Sequence, residues 1–97
     1  MLEGNTVTQE DVDEFYNEGR VEIYKMNDNT TVVTWVSHDD WNMGGWTIVE
    51  SSSCVDPSNY DHELGVSICE KKIKDKLWEL LGFLLYMFRR GDIYLRL

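Results

Sequence analysis

The sequence predicts an α+β domain, with a three-stranded antiparallel sheet packed against an N-terminal helix and one or two C-terminal helices. Three observations carry this expectation. Residues 21–50 hold alternating, β-branched segments separated by turn residues. Apolar residues after position 57 recur at three- and four-residue steps. The chain has 97 residues, room for one core, so 1–97 is read as a single domain. A hydrophobic content of 42% with twelve aromatics is enough for that core and argues against wholesale disorder.

The first helix is expected over 8–18. Thr8 is a good N-cap, Asp11 completes a capping box, and Val7 and Val12 are spaced as a hydrophobic staple. Val12, Phe15 and Tyr16 make one apolar stripe, and Glu10, Asp13, Glu14 and Glu18 fall largely outside it. Gly19 supplies the stop. Acids early in a helix also suit its dipole, so part of this cluster is structural.

A meander is expected over 21–50. Val21 to Met26 alternates, Asn27-Asp28-Asn29 is turn chemistry, and Thr31 to Ser37 is β-branched with a Trp inside it. The polar stretch His38 to Gly45 reads as a hairpin loop, and Trp46 to Glu50 as the third strand. Ser51 to Val55 is then a connector.

Residues 57–90 form the helical half. Asp56-Pro57 looks like an N-cap with proline at the first helical position. Leu64, Ile68, Ile73, Leu77, Leu80, Leu81, Leu84 and Phe88 keep helical spacing, and Gly65 marks a break or a close contact. The apolar run Leu77 to Phe88 is too short to span a bilayer, which takes roughly 20 residues, and reads as a buried core helix with a homodimer contact as a second use. Gly91 ends the helix, and Ile93, Leu95 and Leu97 alternate in a tail, 92–97, that reads as a short extra strand. Met1 to Asn5 are acidic and polar, so no secretory signal is expected. Cys54 and Cys69 are therefore read as reduced thiols.

The chemistry-bearing motifs are sparse. His38-Asp39-Asp40 offers metal-ligand types, but neighbours on a turn rarely converge on one ion, and no second cluster supports them. Cys54 with His62 imitates a thiol–imidazole pair without an orienting third group. Gly44-Gly45 lacks the Lys-Ser or Lys-Thr of a phosphate loop. Lys71, Lys72, Lys74 and Lys76 crowd one stretch, either as an anion pocket or as a solvated helix face. No catalytic site, cofactor or metal is expected, and the protein is read as a binder, not an enzyme.

Charge is the strongest signal. The net charge is −9, unevenly placed: residues 1–66 hold 14 acids and two bases, net −12, while 67–97 hold four acids and seven bases, net +3. Such a domain repels nucleic acid and anionic membrane and attracts basic protein surfaces. Solubility alone explains a bulk acidity. It does not explain the division.

From Gly45 onward a pattern emerges: Gly45-Trp46, Ser52, Cys54, Pro57, Asn59-Tyr60-Asp61, Gly65, Ile68, Leu77-Trp78, Leu80 and Gly82-Phe83. In these residues the chain resembles the small phage-protein family called gene 49/gene 66 (phage N4 / Sf6 type), and Val7 to Val12 is similar to that family's usual start. It departs from the family at Glu50, where the family has glycine, and at Cys69 and Ile73, where it has alanines. The resemblance implies a phage origin, and with it the cytoplasm of an infected bacterial host.

Many phage proteins of this size antagonise bacterial defence, and this chain looks like an acidic DNA-mimic anti-CRISPR of the type I class. On that reading its carboxylates occupy the nucleic-acid channel of a Cascade-type surveillance complex and block target DNA binding. Glu10, Asp11, Asp13, Glu14, Glu18, Asp28, Asp39 and Asp40 are the expected phosphate surrogates, with Trp35, Trp41 and Trp46 as anchors. Two alternatives stand beside it. One is a sponge for cyclic nucleotide immune signals, using Asn59, Tyr60, Lys72 and Lys76. The other is an accessory or structural phage protein that assembles through the apolar helix.

Overall fold

The structure, a computed structural model, describes residues 6–38 and 44–91. The elements run α1 (Gln9–Glu18), β1 (Arg20–Asn27), β2 (Thr30–Val36), β3 (Thr47–Ser53), a single 3-10 turn (Pro57–Asn59) and α2 (His62–Arg90). The strands form one antiparallel meander in the order β1-β2-β3. This is the expected α+β fold.

At the start of α1, Thr8 Oγ1 accepts from the Asp11 N–H at 3.2 Å and Asp11 Oδ2 accepts from the Thr8 N–H at 2.9 Å, closing the capping box. Gly19 stops the helix as expected. Its backbone is extended (φ −83°), and its Cα lies against the Trp35 indole and the Val36 carbonyl, where a side chain would collide.

The β1–β2 register runs from Arg20 opposite Val36 to Asn27 opposite Thr30, with an irregularity between Lys25 and Asn27 that leaves Met26 exposed. β3 continues through Ser51–Ser53, which the sequence places in a connector. Those serines pair with Val32, Thr31 and Thr30, and the Ser53 hydroxyl hydrogen-bonds that of Thr30 at 2.8 Å. Ladder pairing outweighs serine's weak preference for strands.

Period-two alternation turns Thr31, Val33 and Trp35 of β2 inward, and all three are fully buried. They meet Val12 and Tyr16 of α1, Ile48 of β3, and Cys69, Ile73, Leu77 and Leu81 of α2 in one core. Trp35 is therefore no interface anchor. Its Nε1 donates to the Tyr16 carbonyl at 2.9 Å, and its ring stacks on Tyr16.

The helical half divides in two. Asp56 and Pro57 start only the 3-10 turn, and Asp61 caps α2, its Oδ1 accepting from the Leu64 N–H at 3.1 Å. α2 passes unbroken through Gly65, which marks a close contact: a Cβ there would stand 2.5 Å from Thr31 Oγ1. Every fourth residue from Gly65 (Cys69, Ile73, Leu77, Leu81, Leu85) is buried, a single i±4 ridge that runs from the sheet at Gly65 to Leu85 beside Thr6 and Val7.

Leu77 to Phe88 is not buried all round. Leu80, Phe83, Tyr86 and Phe88 stay 45%, 62%, 55% and 51% exposed. The reason is length. α2 spans roughly 44 Å at 1.5 Å per residue, whereas a seven-residue strand spans roughly 23 Å, so the last turns run past the sheet. Gly91 ends α2 in the left-handed conformation (φ 79°), as expected. The expected tail strand, 92–97, lies outside the described residues. Among those residues, no helix is long and apolar enough to cross a membrane.

Candidate functional site

With Val12, Phe15 and Tyr16 committed to the core side, helical geometry puts Glu10, Asp13, Glu14, Asn17 and Glu18 on the opposite side of α1. Together they line a shallow, open depression of about 630 Å³. Glu10, Glu14 and Glu18 follow one another at i, i+4 spacing, roughly 6 Å per step. None of the three has a hydrogen-bond or ion-pair partner among the described residues.

That arrangement works against the helix. Glu10–Glu14 and Glu14–Glu18 are like-charged neighbours, each pair destabilising by a few tenths of a kcal/mol. Glu18 lies in the last turn, which contains no base and where the helix dipole disfavours an anion. A structural role accounts for acids in the first turn but not for these.

The other two α1 acids are engaged within the fold. Asp11 belongs to the capping box. Asp13 accepts from Gln9 Nε2 at 2.8 Å and from Lys74 Nζ of α2 at 3.0 Å, and these contacts, Gln9 first, hold its carboxyl below the usual range. Asp28 sits at the β1–β2 turn, at the end of the hairpin remote from α1 and roughly 23 Å along the strands. It does not join the row. Asp39, Asp40 and Trp41 lie outside the described residues, but the residues flanking their segment, Ser37, His38, Gly44 and Gly45, share a depression of about 490 Å³ with Glu18, Gly19 and Arg20. The chain thus enters and leaves 39–43 beside the end of the carboxylate row. Trp46 is 67% exposed just beyond.

The four lysines of α2 do not converge on an anion. Lys71 pairs with Asp75, Lys72 donates to the Ser51 carbonyl, Lys74 reaches Asp13 and Lys76 pairs with Glu50. Steps of 100° per residue splay them around the helix. Asn59 and Tyr60 line a cleft of only about 110 Å³ between β3 and the start of α2, below the ≈ 300 Å³ at which ligand pockets begin. Lys72 and Lys76 are not part of it. Cys54 and His62 are not paired either: the Cys54 thiol donates to the Asp56 carbonyl, and His62 Nδ1 meets the Tyr60 hydroxyl at 3.0 Å. No group of three potential metal ligands occurs among the described residues.

Residues 5–88 match the family model described as Phage protein (N4 Gp49/phage Sf6 gene 66) family. The chain belongs to that family. No curated protein and no solved structure matches it. Of the residues that carry the family resemblance, Ser52, Cys54, Asn59, Tyr60, Asp61, Gly65 and Ile68 all line the 110 Å³ cleft. Several have structural work there: Tyr60 hydrogen-bonds the buried Thr31 at 2.6 Å, Asp61 caps α2 and Gly65 admits Thr31. The shared pattern therefore marks the joint between β3 and α2. The departures fit the same frame, for Glu50 pairs with Lys76, and Cys69 and Ile73 are fully buried.

Sequence reasoning missed two members of the site. Asn17 completes the face, and its i+7 spacing from Glu10 was the available signal. Lys74 neutralises Asp13 across the α1–α2 contact, and no sequence pattern announces that docking.

Proposed function

We propose that this phage protein works by binding, through the α1 carboxylate face, a basic protein surface that normally holds nucleic acid. The observation that carries this reading is the row Glu10–Glu14–Glu18, exposed, without partners among the described residues and costly to its own helix. Carboxylates at regular spacing substitute for phosphates against lysines and arginines. The wide, open shape of the depression suits a protein surface better than a small ligand. His38 and Gly44, the described residues on either side of Asp39, Asp40 and Trp41 in the sequence, lie beside Glu18.

The target that fits a phage protein of this chemistry is a type I CRISPR surveillance complex, with the protein acting in the infected host's cytoplasm as an anti-CRISPR that blocks DNA binding. Fluorescence anisotropy of labelled target DNA on a purified Cascade-type complex tests it. Added protein is expected to displace the DNA, less effectively as salt rises. DNA that stays bound while the protein binds beside it would rule out mimicry.

A further inference from the structure

We draw no further inference here: the strongest candidate, the depression of about 530 Å³ between Thr6 and Val7 and the Trp78, Gly82 and Tyr86 side of the last turns of α2, has both of its arginines, Arg89 and Arg90, already engaged within the protein, and nothing in the structure shows what covers its apolar wall.

Discussion

Lys74 of α2 reaches Asp13 of α1 at 3.0 Å, and the same ammonium lies 4.9 Å over the ring of Tyr16. One cation thus fastens the short helix to the long one and neutralises one member of the acidic face. Asp13→Asn is expected to lower the melting temperature slightly. The sign with pH follows from a carboxyl held below its usual range: the contribution is fully present above about pH 4 and is lost as pH falls through the lower folded value. Thermal melts of both forms should therefore converge in acid. A constant difference down to pH 2 would contradict the assignment.

Tyr16 presents the opposite case. Its hydroxyl is buried with no hydrogen-bond partner among the described residues. Burial first, then the nearby Glu70 carboxylate, pushes its ionisation up to about 12. Tyr16→Phe is expected to leave stability unchanged or raise it by up to about 1 kcal/mol, because the removed group is unsatisfied. The neutral phenol is the form that the fold favours, so the wild-type protein loses stability between pH 10 and pH 12, and the variant should lose less. Denaturant unfolding at pH 7 and pH 11 measures both effects.

Gly65 of α2 packs its Cα against Thr31 of β2, where a Cβ would stand 2.5 Å from the Thr31 hydroxyl. Gly65→Ala is expected to cost about 1–3 kcal/mol despite alanine's better helix propensity, since the strand must move. Adding Thr31→Ala should recover part of that loss in a double-mutant cycle. A stabilised single variant would show that the joint has room to spare.

The fold was legible where pattern and local chemistry agree. The capping box at Thr8 and Asp11, the β-branched strand β2 and the glycine stop at Gly91 all formed as read. The misreadings share a cause, contacts between distant segments. Ser51–Ser53 became strand because β2 lies beside them. A tryptophan read as a surface anchor proved to be the centre of the core. The acidic face was readable from helical spacing, but its division into free and engaged carboxylates depends on Lys74.

Glu18 separates function from stability. Glu18→Lys removes a like-charge neighbour of Glu14 and places a cation in the last turn, where the helix dipole favours it. Stability is expected to rise by a few tenths of a kcal/mol, read by chemical denaturation, while binding to a basic partner weakens. If both fall together, the residue is part of the fold and not of an interface.

Partner binding is assigned to the carboxylate row, so the decisive experiment reverses its charge. Asp13 is best left alone because its loss also loosens α1. Competition for a purified type I surveillance complex should be compared for the wild-type protein, for Glu10→Lys with Glu14→Lys, and for Asp28→Lys at the remote hairpin turn. The α1 pair is expected to lose at least about tenfold in affinity and most of its salt dependence, while the Asp28 variant keeps both. Equal affinity for all three would contradict that assignment.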